Sequence, residues 1–145
     1  GRELGRIVLR RRPTSAPDVA LEIPGAGRGH GRARVGGRWL RVSWGGREAP
    51  AGRGGEPFSA ARLRFPLRVR GREPGDRVRL AYGTKKLKKL FLERRVPPSA
   101  RAGVALLVDA DGTVLWIPGI ARSVHAVPTE GEETMTIEIA DADAD

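Results

Sequence analysis

The stretch "YGTKKLKKLFLERR" (82–95) predicts one short helix and indicates which side of it is buried. Leu87, Leu90 and Phe91 are spaced i, i+3 and i+4, so on a helix they form a single apolar stripe. Thr84 is the predicted N-cap, because a threonine hydroxyl can accept a hydrogen bond from a free N–H of the first turn. The helix is therefore expected to dock on the protein through one narrow seam.

Cations lie on both sides of this seam and at both ends of the predicted helix. Arg94 and Arg95 fall in its last turn, before Pro97 stops it, and the helix dipole favours cations there. Lys85 and Lys86 fall at its N-terminal end, where the helix dipole disfavours each of them by about 0.3 kcal/mol. A contact with an external anion explains these two lysines better than folding does.

Positive charge is concentrated in the middle of the chain. Residues 62–101 carry a net charge of +11, against +7 for residues 1–61 and −8 for residues 102–145, so the middle alone exceeds the +10 of the whole chain. Such a concentration indicates a phosphate-rich partner. A solvated charged face is the structural alternative.

The segment "RLRFPLRVR" (62–70) predicts a strand that precedes the helix. Arginine alternates with apolar residues, so one strand face is apolar and the other is a row of cations. That row consists of Arg62, Arg64, Arg68 and Arg70. Pro66 has no N–H, which predicts a sheet edge or a break in the strand. Like charges repel along such a row, which favours an anionic surface beside it.

Two further strands and a tight turn are predicted after the helix. Val104–Val108 and Thr113–Ile117 are apolar runs joined through Asp111-Gly112, a strong hairpin signal. Asp109 and Asp111 are interpreted as turn residues rather than as a catalytic carboxylate pair. Asp76 follows a proline-glycine pair and is interpreted in the same way.

The first 61 residues predict a β-rich segment. Its strand-like runs are 6–10, 19–23 and 38–44, and its glycine-rich loops are 24–37 and 45–57. Trp39 and Trp44 are interpreted as core or sheet-face packing residues rather than as base-stacking platforms. At the other end of the chain, a last strand (134–139) precedes an acidic tail that we expect to be disordered.

These elements predict an α+β fold. It consists of a small, mainly antiparallel β-sheet with one or two short helices, preceded by the β-rich, glycine-rich segment. The predicted units are a β-rich segment (1–61), a basic nucleic-acid-binding domain (62–128), and a final strand with its acidic tail (129–145).

The composition argues against most catalytic and metal sites. There is no cysteine, which excludes a disulfide and a thiol nucleophile and fits a reducing, cytoplasmic location. The two histidines, His30 and His125, are far apart in sequence, so we expect no metal site. No catalytic residue, nucleotide loop or bound cofactor is predicted for this chain.

No apolar run approaches the roughly 20 residues of a membrane span. Because the chain starts at Gly1, we expect a fragment or a processed chain.

Residues 67–120 contain an ordered set of short motifs. In chain order they are Arg70, Arg72, Pro74-Gly75-Asp76-Arg77, Gly83, Lys85-Lys86-Leu87, Leu90-Phe91, Val96-Pro97, Arg101, Leu106-Leu107-Val108 and Trp116-Ile117-Pro118-Gly119. The set resembles the C-terminal domain of tRNA(Ile)-lysidine synthetase. One departure is Ala105, which stands where that family commonly has a proline before the Leu-Leu-Val strand.

The resemblance implies a part in an enzyme that uses ATP to join lysine to the wobble cytidine of an isoleucine tRNA with a CAU anticodon. In that family an N-terminal domain with an SGGxDS loop is catalytic, and the C-terminal domain grips the tRNA, notably its acceptor stem. The SGGxDS loop is absent from these 145 residues. ATP and magnesium are therefore expected in a catalytic domain outside this chain, which is not expected to make lysidine alone.

Charge and resemblance together predict tRNA as the partner, held through its phosphates. The major groove of an A-form stem is too deep and narrow for side chains, so such a stem is gripped mainly by its backbone. The predicted contact residues are cations of the strand, the turn and the helix. They are Arg68, Arg70, Arg72, Arg77, Lys85, Lys86, Lys88, Lys89, Arg94, Arg95 and Arg101.

Two other functions remain open from the sequence. One is a generic basic RNA-binding module, which predicts equal affinity for unrelated RNAs. The other is a structural or dimerisation domain, in which the basic middle pairs with the acidic residues of 102–145 within the chain or in a homodimer.

Overall fold

The computed structural model describes residues 17–46 and 55–142. Its strands are β1 (Leu21–Ile23), β2 (Gly29–Val35), β3 (Arg38–Gly46), β4 (Gly55–Ser59), β5 (Leu67–Arg70), β6 (Arg77–Leu80), β7 (Gly83–Lys86), β8 (Leu106–Val108), β9 (Val114–Ile117), β10 (Ala121–Arg122) and β11 (Thr134–Asp141). Its helices are α1 (Leu87–Glu93) and α2 (Pro98–Arg101), and a 3-10 turn covers Ala60–Arg62. The strand predicted at 6–10, most of the loop predicted at 45–57 and the end of the acidic tail lie outside the described residues.

The strands of the described residues form two sheets. The larger has the order β1-β5-β8-β9-β6-β7, with β10 paired to β9, and all of its pairs are antiparallel except β6 with β9. The smaller has the order β2-β3-β11-β4 and is antiparallel throughout. The predicted α+β fold with a mainly antiparallel sheet and two short helices is confirmed.

Both ends of the described chain are built into these sheets. β1 pairs with β5, where Leu21 is the partner of Val69, so it joins the larger sheet. β11 lies between β3 and β4 at the centre of the smaller sheet. The sheets thus interleave along the chain, and the division into units at residues 61 and 128 stays a prediction.

The domain has three layers, which follow from where the apolar side chains point. Val42 and Ile137 of the smaller sheet pack with Val69 and Leu107 of the larger one in a shared core. A second core lies on the opposite face of the larger sheet, where α1 packs over Val78, Val114 and their neighbours. The smaller sheet, the larger sheet and the helix are therefore stacked in that order.

The single strand predicted over 62–70 is wrong in its first half. Only Leu67–Arg70 forms a strand, because Pro66 cannot donate a ladder hydrogen bond. Arg62 and Arg64 lie outside this strand and pair with Glu132 and Asp111, at 3.2 and 3.4 Å. The predicted break at Pro66 is confirmed. β5 is not an edge strand, since β1 and β8 flank it.

The predicted start of the helix is also wrong. Thr84 does not cap it but lies in β7, whose backbone pairs with β6, and α1 begins at Leu87. Lys85 is therefore a strand residue, whereas Lys86 is both the last residue of β7 and the N-cap of α1. The unfavourable helix dipole thus acts mainly on Lys86. The buried stripe formed by Leu87, Leu90 and Phe91 is confirmed.

The hairpin predicted after the helix is confirmed, as strands β8 and β9. Asp109 is buried, and its Oδ1 accepts hydrogen bonds from the N–H groups of Asp111 and Thr113, both at 2.9 Å. This aspartate is a turn residue, as predicted. Its Oδ1 is occupied by hydrogen bonds from the backbone of the turn.

Candidate nucleic-acid interface

The loop between β5 and β6 is held by a pair of opposite charges. Arg70 donates two hydrogen bonds to the carboxylate of Asp76, at 2.9 and 3.1 Å, and both side chains are largely buried. Asp76 Oδ2 also accepts from the N–H of Glu73 at 2.7 Å, so the predicted turn role of Asp76 is confirmed. The hydrogen bond to Asp76 raises the pKa of the Arg70 guanidinium, which stays charged.

The same loop fixes the position of the helix. The N–H of Leu87, the first residue of α1, donates to the backbone oxygen of Asp76 at 2.9 Å. This bond satisfies one of the free N–H groups of the helix start, which lacks a side-chain cap. The loop, the end of β7 and the first turn of α1 are thereby brought side by side.

A cleft of about 540 Å³ lies at this junction and is lined by four of the predicted contact residues. These are Arg72 of the loop, Arg77 of β6, Lys86 of β7 and Lys88 of α1. All four side chains are exposed, and within the described part of the chain none of them has a hydrogen bond or an ion pair. We call this site the basic cleft.

The acidic side chains of the basic cleft do not neutralise these cations. Asp76 is bound to Arg70 in the geometry above, and Glu73 lies 3.7 Å from the Nε of Arg70. Both carboxylates that line the cleft are thus directed at Arg70. The field in the cleft is left strongly positive, which suits an anionic ligand.

Four of the predicted contact residues have partners within the protein. Besides Arg70, Lys85 pairs with Glu93 and lies 4.9 Å from the Tyr82 ring centroid. Arg94 donates to the backbone oxygen of Ile120. Arg101 donates from Nε to the backbone oxygen of Val96 at 3.0 Å. These contacts give each of the four a structural role, and their contact with RNA stays a prediction.

Arg68, Lys89 and Arg95 are exposed but do not line the basic cleft. Arg68 lies on β5 opposite Glu22 of β1, while Lys89 lies on α1. Arg95 follows the end of α1, not its last turn as predicted, and its φ of 57° is in the left-handed region. The N–H of Val96 donates to the oxygen of Phe91 at 2.9 Å, which closes the helix in a Schellman-type end.

A second, smaller cleft of about 330 Å³ adjoins the first at Arg77. It is lined by Arg79, Thr84 and His125, none of which was predicted as a contact residue. The i, i+2 spacing of Arg77 and Arg79 on a strand would have indicated Arg79. No local pattern indicates His125, which approaches β6 only because the N–H of Val124 bonds the oxygen of Arg79 at 3.1 Å.

The acidic residues of the C-terminal part of the chain form ion pairs with arginines outside the predicted contact set. Glu132 and Asp111 bind Arg62 and Arg64, and Asp141 binds Arg38 at 3.2 Å. Among the described residues, none of the eleven predicted contact residues forms an ion pair with an acidic residue of 102–142. In the described part of the chain, the charge pairing considered from the sequence therefore involves Arg62 and Arg64 of the basic middle but not the predicted contact residues.

Residues 17–46 and 55–142 contain no group of three or more side chains suited to hold a metal ion. In the same ranges, no helix has the length and apolar character needed to cross a membrane.

The stacked sheets, the docked helix and the basic cleft define a small β-rich α+β domain with a cationic surface. The chain belongs to the family described as the TilS substrate C-terminal domain, whose sequence model matches residues 67–139. A crystal structure of a TilS C-terminal domain has the same fold, with a TM-score of 0.64 and 28% sequence identity over 87% of this chain and 98% of that chain. The resemblance seen in the sequence motifs is confirmed.

Curated relatives carry the name tRNA(Ile)-lysidine synthase. The protein of Bacillus cereus is 41% identical over 70 residues, which are 47% of this chain and 15% of that protein. The protein of Exiguobacterium sibiricum is 48% identical over 65 residues, 45% of this chain and 15% of that protein. The protein of Geobacillus kaustophilus is 42% identical over 74 residues, 50% of this chain and 16% of that protein. The chain thus matches about 15% of the length of these relatives.

Proposed function

We propose that this chain is the tRNA-binding domain of a tRNA(Ile)-lysidine synthetase and grips tRNA through its phosphates at the basic cleft. The observation that carries the proposal is the convergence of Arg72, Arg77, Lys86 and Lys88 on one cleft, with none of the four paired to a described carboxylate. Three separate elements and a loop supply these cations. A solvated face of one helix does not require such convergence.

Phosphate is the anion that best fits this arrangement. The cations are long and exposed, and the carboxylates beside them are held by Arg70. Nucleic-acid backbones offer closely spaced phosphates whose counterions are released when lysine or arginine replaces them. Such contacts position an RNA but carry little sequence information. The grip is therefore expected to act on backbone shape, with the acceptor stem as the proposed region of the tRNA.

The energetic cost of the cationic surface supports a binding role. Arg77 and Lys86 are directly opposite each other in β6 and β7, and like charges in that position destabilise a sheet. Arg95 occupies a left-handed conformation that glycine adopts with less strain. Strained or repelling residues that folding does not need are expected where a ligand uses them.

The chemistry of lysidine formation is assigned to a part of the enzyme outside this chain. The sequence has no SGGxDS loop, and its glycine-rich loops do not have the spacing of a nucleotide-binding motif. We assign ATP and magnesium to the separate catalytic domain, and the function proposed for this domain uses neither. The proposed domain holds the tRNA in the cytoplasm while a separate catalytic domain modifies the wobble cytidine.

The test is binding of the 145-residue chain to three RNAs across a salt series. They are an isoleucine tRNA with a CAU anticodon, an unrelated tRNA and a short RNA duplex. We expect affinity to fall steeply with salt, and Lys86→Gln with Lys88→Gln to reduce the log–log slope by roughly one unit per lost phosphate contact. Arg64→Gln, outside the basic cleft, is the matched control and is expected to leave the slope unchanged.

Each outcome of this test distinguishes the candidate functions. Preference for the isoleucine tRNA would make this domain a contributor to tRNA selection. Equal binding to all three RNAs would reduce the function to a generic phosphate grip. If no RNA binds and the chain self-associates in a salt-dependent way, the proposal would be replaced by the alternative function of a dimerisation domain.

A further inference from the structure

A second cationic surface lies on the outer face of the smaller sheet, away from the basic cleft. On β2 and β3, Ala33 and Val42 point into the core between the sheets, so the alternate residues point outward. Arg32, Arg34 and Trp39 are among these outward residues. We call this surface the Trp39 face.

The Trp39 face combines guanidinium groups with an aromatic ring. Arg34 is the Cα partner of Trp39, and the Cζ atoms of Arg32 and Arg34 each lie 5.4 Å from the centroid of the Trp39 ring. Trp39 is half-buried, whereas Trp44 belongs to the core. Trp39 thus packs on the sheet face, one of the two positions predicted for it, and its ring forms a cation–π cluster with the two arginines.

Among the described residues, no carboxylate neutralises the arginines of this cluster. Within the ranges 17–46 and 55–142, neither Arg32 nor Arg34 has an ion pair, and the Nε of Arg34 has no hydrogen-bond partner. Glu138, the acidic residue in the neighbouring cleft of about 650 Å³, accepts a hydrogen bond from the hydroxyl of Ser43 at 3.3 Å. The surface is charge-complementary to a polyanion.

We propose that the Trp39 face binds unpaired RNA. A sheet surface that presents an indole ring and guanidinium planes can stack exposed bases, while its arginines contact the phosphates between them. Bases in a duplex are already stacked on each other, which leaves only the phosphates for such a surface. This site is independent of the proposed function, because both sheets separate it from α1 and the basic cleft.

The test uses the 145-residue chain and a labelled oligouridine of about 12 nucleotides, a length within the usual site sizes of single-strand binding domains. We expect binding with quenching of tryptophan fluorescence, because Trp44 and Trp116 are buried and Trp39 is the accessible one of the three. Trp39→Leu should abolish the quenching and weaken binding at least about fivefold, as expected for loss of a stacked base. Arg32→Gln with Arg34→Gln, two surface changes that leave Trp39 in place, should weaken binding to a similar degree.

The control pair is Lys86→Gln with Lys88→Gln, which should leave oligouridine binding within about twofold while weakening the duplex. The proposal is overturned if oligouridine does not bind, if the quenching persists in Trp39→Leu, or if the cleft variant alone loses oligouridine. Polyglutamate that competes as well as unlabelled oligouridine would also overturn it, in favour of an acidic protein partner. Thermal unfolding of each variant shows that the loss is not one of folding.

Discussion

Arg77 and Lys86 face each other directly across β6 and β7, and both side chains are exposed. Two positive charges at this position repel and weaken the strand pair. No described carboxylate forms an ion pair with either of them. The pair therefore opposes folding, and the anionic ligand proposed for the basic cleft, which Arg72 and Lys88 also line, would offset this repulsion.

Replacing Arg77 by glutamine is expected to raise stability and lower RNA affinity at the same time. Relief of the repulsion should add about 0.2–1 kcal/mol to the free energy of unfolding. Urea unfolding and RNA titration of the same variant measure the two effects. A parallel loss of both would show that Arg77 supports the fold instead.

Replacing Asp76 by asparagine is expected to destabilise the domain by about 3 kcal/mol. The change leaves the largely buried guanidinium of Arg70 without its charged partner. Glu73→Gln is the matched control, because this exposed carboxylate lies 3.7 Å from Arg70 and should contribute less than about 1 kcal/mol. Equal losses for the two variants would argue against the bidentate pair as the main support of the loop.

Two substitutions at Arg95 separate the cost of its backbone strain from the effect of losing its charge. Its φ of 57° is costly for a side chain with a Cβ, so Arg95→Gly should be more stable than Arg95→Ala by about 1 kcal/mol. Both variants lose the same charge and should lose the same RNA affinity. Thermal unfolding and binding titrations check this, and a glycine variant no more stable than the alanine variant would contradict the left-handed helix end.

Leu90 and Leu92 test which side of α1 is buried. Leu90→Ala should cost about 2–5 kcal/mol of stability, since its side chain is fully buried beneath the helix. Leu92 is 61% exposed, and Leu92→Ala should cost less than about 0.5 kcal/mol. Denaturant unfolding of the two variants gives the comparison, and similar losses would mean that the docking face is misassigned.

Glu93 gives a pH-dependent signal at the same helix. The hydrogen bond from Lys85 is the main cause that lowers the pKa of Glu93, with smaller contributions from Lys89 and Arg94. Because the folded pKa is lowered, the stabilisation from this pair is present above the ordinary pKa of glutamate and is lost as the pH falls through the lowered value.

The check on Glu93 is an NMR titration of its side-chain carboxyl carbon. Lys85→Met should move the pKa of Glu93 upward, toward its ordinary value, and Lys89→Met should move it less. An unchanged pKa in Lys85→Met would mean that the pair does not form in solution.

Short-range sequence patterns were sufficient to predict several elements of the fold. The spacing of Leu87, Leu90 and Phe91 predicted the buried stripe of α1, because side chains three and four residues apart share one helix face. Asp111-Gly112 predicted the β8–β9 hairpin for an equally local reason. Patterns of this kind failed at Thr84, where pairing of β7 with β6 took precedence over the capping preference.

The sequence by itself determined the α+β class, the family likeness and the concentration of cations in residues 62–101. Tertiary structure decided which of those cations remain available to a ligand. Arg70 and Arg77 have the same side chain, yet one is bound to Asp76 and the other lines the basic cleft. The reason is that a local pattern fixes the direction of a side chain relative to its own strand or helix, whereas its ionic partners come from segments that meet only when the chain folds.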